Sequence, residues 1–148
     1  MTHRLDRTFT HRLHTLGKLT DKVTQVGYEK ETGIPAHEAR CLAAVGNFSP
    51  LSVNDLAKGA NLDKAQASRA AQSLVEKGLI LKTSSTTDAR GVVLTLTPEG
   101  RKLWLRTMRF VNRRNTEIMS CLSEEELRVL DIALDKLVSH ARLFAEKN

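Results

Sequence analysis

The sequence predicts a mainly α-helical fold carrying one small β-hairpin. Three observations predict it. Apolar residues recur at alternating spacings of three and four near both ends of the chain, the signature of one helix face. A short helix, a glycine turn and a second helix fit the stretch "LSVNDLAKGANLDKAQASRAAQSLVEKGLI". Two short runs of strand character, "LILKT" and "GVVLTL", follow at once. The 148 residues suit one domain. Aromatic residues are only 4% of the chain, so its core must rest on Leu, Val, Ile and Ala.

Residues 5–30 read as a first helix, with Phe9, Leu13, Leu16, Thr20 and Val23 on one stripe and Gly27 and Gly33 at its fraying end. Pro35 suits the first turn of a second helix, whose small apolar face is Ala39, Leu42, Ala43 and Val45. Ser52 with Asp55 resembles a capping box for a short helix over 53–58, and Gly59 makes the turn. Asp63 caps a longer helix over 64–77, which Gly78 ends. In the return strand Val92, Leu94 and Leu96 share a face. Thr97 and Pro98 then open a helix reaching about Cys121. Ser123 and Glu126 form a capping box for a last helix with Leu127, Leu130, Leu134, Leu137, Ala141 and Phe144 in one seam. These stripes exceed what one short chain can cover, so association between chains is expected.

Composition narrows the function. Net charge is +6, which favours a polyanionic partner. Six basic residues and no acidic one stand between Arg101 and Arg114, a pattern that a solvated helix face shares. Cys41 and Cys121 are far apart, with no CxxC, so neither a disulfide scaffold nor a thiolate zinc site is indicated. No apolar run approaches the ~18 residues of a membrane span, and the N-terminus lacks a secretory apolar region. A cytoplasmic protein that touches no membrane is expected. No nucleophile–base motif, phosphate loop or metal spacing is present, so no enzyme, metal or cofactor is expected.

The helix over 64–77 has two unlike faces. Ala67, Ala70, Ala71, Leu74 and Val75 form the core side. Ala65, Gln66, Arg69, Gln72, Ser73 and Glu76 point away, with Ser68 on the flank. Such polar groups can donate to phosphate oxygens and base edges, although an ordinary amphipathic helix has the same pattern. Lys64, at the helix N-terminus, favours phosphate. Gln66, Ser68, Arg69 and Gln72 are the other DNA candidates.

Helix-turn-helix plus hairpin is a winged helix, and "DARGVVLTLTPEG" together with the segment above resembles the MarR-type (multiple antibiotic resistance regulator) transcription factors. The resemblance covers essentially the whole chain, as a single domain over 1–148. It implies a winged helix-turn-helix lobe at 35–97, flanked by dimerisation helices at 5–34 and 98–146. It also implies that helix 64–77 enters a major groove of double-stranded DNA. Arg90 in the wing is expected to reach an adjacent minor groove, with Asp88 orienting it. A homodimeric regulator follows, most simply a repressor on a pseudo-palindromic operator. A small aromatic or anionic effector is expected near His14, His37 and Arg40, since the first two helices border that pocket in the family. One alternative is a redox sensor of the same fold using Cys41 or Cys121. Another is a winged-helix protein-interaction module that never binds DNA. The sequence departs from the family where Ala89 replaces a second wing arginine and Ala65 a frequent Ser or Thr. Pro35 and Ala39 likewise stand where a capping Ser or Thr and an aromatic are common.

Overall fold

The computed structural model describes residues 3–84 and 91–147. A 3₁₀ turn at Leu5–Arg7 leads into α1 (Phe9–Thr32), α2 (Ala36–Phe48), α3 (Val53–Gly59) and α4 (Lys64–Glu76). Then come β1 (Ile80–Ser84), β2 (Val92–Leu96), α5 (Pro98–Ile118) and α6 (Glu124–Lys147). The chain is mainly α, with a two-stranded antiparallel sheet as its wing.

The helix starts have local chemical causes. Ser52 Oγ accepts from the Asp55 N–H at 3.1 Å and opens α3. Asp63 Oδ1 accepts from the Gln66 N–H at 2.8 Å, and the Asp63 N–H donates back to Gln66 Oε1 at 3.2 Å. That reciprocal box starts α4. Ser123 and Glu126 make the same exchange before α6. Each such cap is worth about 1 kcal/mol, because it satisfies a backbone donor that the helix leaves orphaned. Thr97 Oγ1 accepts from the Gly100 N–H and donates to Gly78 O at 2.7 Å, which ties the start of α5 to the end of α4. Gly33 and Gly78 close α1 and the α4 turn at φ 73° and 72°.

Three local expectations change. Gly27 is not at a frayed end but inside α1, where a Cβ would stand 2.5 Å from the Phe110 ring. Gly59 is the last residue of α3, and the left-handed position in the following turn is Asn61 at φ 54°. Ser73 does not point away from the core side of α4. It is half-buried and donates to the Glu38 carboxylate on α2 at 3.0 Å.

The core of the lobe is aliphatic. Leu42 and Val45 from α2, Leu56 from α3, Leu74 from α4, Ile80 from β1 and Leu94 from β2 are almost wholly buried. Burying one such Leu contributes about 1.5–3 kcal/mol. Ala67, Ala70 and Ala71 form the inner face of α4, and their small size brings that helix close to its neighbours. β1 pairs with β2 from Ile80↔Leu96 to Ser84↔Val92. Leu51 adds one bridge, its carbonyl accepting from the Leu94 N–H at 2.9 Å. This anchors the inner strand of the wing to the helix-turn-helix. Tyr28 meets Phe110 edge-on at 4.9 Å, joining α1 to α5.

Chain contacts divide into two units, 1–112 and 113–148. In the first, α1 buries only Tyr28 and Thr32, and leaves Phe9, Leu13, Leu16, Leu19, Val23 and Val26 exposed. In the second, α6 buries nothing along 24 residues, with Ile132, Leu134, Leu137 and Phe144 among its exposed side chains.

Candidate nucleic-acid interface

Helix α4 is a rigid shelf with one dry side and one wet side. Its inner alanines and Leu74 hold it against α2 and α3, while Lys64, Gln66, Ser68, Arg69 and Gln72 are all exposed. Local contacts sort these five. The capping box engages the Gln66 carbonyl, which leaves its NH₂ end as the donor toward a partner. Gln72 is held at both ends: its amide donates to Glu76 at 3.1 Å and its carbonyl accepts from Lys82 of β1 at 3.2 Å. A base contact by Gln72 must break those bonds first. Arg69 and Gln66 share a recess of about 340 Å³ with His37 from the first turn of α2.

Behind that recess lies a buried carboxylate that sequence reasoning missed. Glu38 keeps only 7% of its side chain exposed. It accepts from Lys77 Nζ at 2.6 Å and from Ser73 Oγ at 3.0 Å, both at the C-terminal end of α4. A carboxylate in the first turn of α2 also favours the positive end of that helix. The only sequence signal was an acidic residue two positions after Pro35, which reads as an ordinary first-turn acid.

Asp88 and Arg90 lie outside the described residues. Of the three residues expected near an effector, only Arg40 borders the cavity between α1, α2, the α3–α4 turn and α5. That cavity is about 310 Å³ and is lined by Tyr28, Arg40, Asn47, Asn61, Met108 and Val111 among others. The Arg40 guanidinium sits 5.9 Å from the centre of the Tyr28 ring and 2.9 Å from Asp21. Burial pushes the Tyr28 hydroxyl up in pKa, partly offset by the charge and hydrogen bond of Arg40. His37 faces the other recess, and His14 is an exposed residue of α1 outside the cavity lining.

The cysteines have opposite settings. Cys41 is fully buried in α2, and burial pushes its thiol up to about 12, with Glu38 adding in the same direction. A thiolate is the reactive form, so this environment suppresses oxidation chemistry there. Cys121 is exposed, between α5 and α6. In the basic stretch, Lys102 pairs with Glu99 at 3.4 Å and Arg101 lies 5.8 Å from the Trp104 ring centre. Among the described residues, no group of His, Cys, Asp and Glu could hold a metal, and no helix is long and apolar enough to cross a membrane.

A helix-turn-helix with a hairpin tied to its second helix defines a winged-helix protein. The MarR family model matches residues 32–91. A curated relative, an uncharacterized HTH-type transcriptional regulator of Bacillus subtilis, is 29% identical over 110 residues, covering 74% of this chain and 67% of that protein. The chain spans about two thirds of the length of the first two curated relatives it matches. Bordetella bronchiseptica BpsR, whose DNA binding is regulated by 6-hydroxynicotinic acid, is 20% identical with a TM-score of 0.79, covering 93% of this chain and 98% of that one. A MarR-family regulator from Listeria monocytogenes, solved with a 26mer DNA, is 20% identical with a TM-score of 0.81, covering 96% of each chain. The chain has the winged helix-turn-helix fold of these MarR-family regulators, and it resembles the family model over residues 32–91.

Proposed function

We propose that this chain is a cytoplasmic homodimeric repressor that binds double-stranded DNA at a pseudo-palindromic operator through α4 and releases it in response to a small effector. The observation that carries the DNA reading is α4 itself. Its apolar side is sealed in the core, its start is fixed by a capping box, and its outer side presents Lys64, Gln66, Ser68 and Arg69. A helix so held can be laid in a major groove, with its N-terminal residues at base edges. The net charge of +6 supplies the long-range attraction.

The dimer reading rests on the uncovered apolar stripes of α1 and α6. A dimer that reads both half-sites of an operator needs two copies of α4 about one helical turn apart, ~34–36 Å. The effector reading rests on the cavity beside Arg40. A ring would lie against Tyr28 and Met108, and a carboxylate would take the guanidinium in place of Asp21. Such a ligand touches α1, α2, α5 and the α3–α4 turn together. It releases DNA only in so far as it binds the released arrangement more tightly.

Arg69→Ala and Arg90→Ala test the DNA reading in operator titrations. Each is expected to weaken binding by roughly 1–3 kcal/mol, the scale of a specific contact. Unchanged affinity in both variants refutes the assignment of α4 and the wing as the reading elements. Titrating bound operator with small aromatic carboxylates tests the effector site, with Arg40→Ala expected to lose the response.

A further inference from the structure

We infer that His37 is a DNA-phosphate contact outside the recognition helix, and that it makes DNA affinity depend on pH. This rests on the DNA-binding reading above. His37 projects from the first turn of α2, with its side chain 53% exposed, into the recess it shares with Gln66 and Arg69. The trio offers an imidazole, a carboxamide and a guanidinium, all able to donate and one permanently cationic. The recess of about 340 Å³ has room for a phosphodiester group and lies at the side of α4. Contacts that flank a groove go to the backbone, while base edges are met by the helix inside it.

The charges around the imidazole favour an anion. On its own helix, the Glu38 carboxylate lies 3.9 Å from His37 Nε2. The carboxylate does not repel a phosphate with its full charge, because Lys77, the residue that caps the end of α4, holds it at 2.6 Å. Arg69 faces the same recess from α4. The sum of Arg69, protonated His37, Glu38 and Lys77 is positive. A phosphate in the recess is therefore a second anionic partner for a ring already held by the first. Histidine changes charge between about pH 5 and 8, so binding such an anion takes up a proton and strengthens as pH falls through that range.

The test uses the full chain on two duplexes of equal length, an operator selected from random-sequence DNA and its scrambled counterpart. Affinity is measured at pH 6, 7 and 8 and at several salt concentrations. Wild type is expected to bind both duplexes more tightly at pH 6 than at pH 8. His37→Gln is expected to lose about fivefold at pH 6 on both duplexes, to lose most of the pH dependence, and to shallow the salt slope by up to about one. His37→Lys keeps a fixed charge, so it is expected to hold the wild-type pH 6 affinity at pH 8. A merely structural role for His37 predicts instead that Lys fails to rescue. If both variants track wild type at every pH, the inference is overturned. It is also overturned if His37→Gln weakens the operator but not the scrambled duplex, since a phosphate carries no sequence. Wild type that binds neither duplex overturns the DNA reading itself.

Discussion

Glu38→Gln removes one charge and keeps the shape, and its cost follows from two distances and the burial of the site. The carboxylate accepts from Lys77 at 2.6 Å and Ser73 at 3.0 Å with 7% of its side chain exposed. A hydrogen bond to a charged group is worth about 1.5–3 kcal/mol, and a neutral one about 0.5–1.5. Two bonds to Oε1 become neutral acceptances, but only the Lys77 bond was charge-assisted on both sides. Breaking a fully buried pair costs about 3–5 kcal/mol. That figure does not apply, because the Lys77 side chain is 40% exposed and water can solvate it afterwards. The expected loss is about 1–2 kcal/mol. Urea unfolding at fixed protein concentration measures it, with Lys77→Met and the double variant completing a cycle. A coupling near 1 kcal/mol is expected. A coupling below about 0.3 kcal/mol refutes the view that this pair braces α4 against α2.

Two other outcomes follow from close contacts and burial. Gly46→Ala places a Cβ 2.1 Å from the Trp104 indole nitrogen, which donates to Ala43 O at 3.3 Å, so α2 and α5 must separate. A loss of about 1–3 kcal/mol by overpacking is expected in the same unfolding assay, and wild-type stability contradicts it. The Cys41 thiol is held up to about 12 in the folded chain against an ordinary 9.0. Above pH 9 the unfolded chain therefore binds fewer protons than the folded one, and stability falls as pH rises. Relative to Cys41→Ala, wild type is expected to lose about 1.4 kcal/mol more between pH 8 and pH 10. Parallel pH profiles for the two proteins contradict the burial argument.

What could be read in the sequence was what local chemistry decides. Ser52, Asp63, Thr97 and Ser123 announce helix starts because a cap acts within three residues of itself. The periodicity of α4 separates Ala67, Ala71 and Leu74 from Gln66 and Arg69 because both sets lie on one helix. Contacts between distant segments left no such trace. Gly27 reads as part of a fraying helix end, yet Gly27 and Gly46 each admit an aromatic ring from α5 more than fifty residues away. Ser73 reads as an outward polar residue and turns inward only because Glu38 waits on α2. His37 falls one helical turn from Arg40 in sequence but lines the α4 recess rather than the Tyr28 cavity. The bridge at Leu51 depends on β2, more than forty residues on.

The most direct measurement is selection of bound duplexes from a random-sequence library by the wild-type chain, followed by the stoichiometry and salt dependence of the winning sequence. The expected result is an inverted repeat with half-sites about one helical turn apart, bound by two chains, with affinity falling steeply as salt rises. Recovery of no enriched sequence, or of a site bound by one chain without salt dependence, contradicts a dimeric operator-binding regulator built on α4.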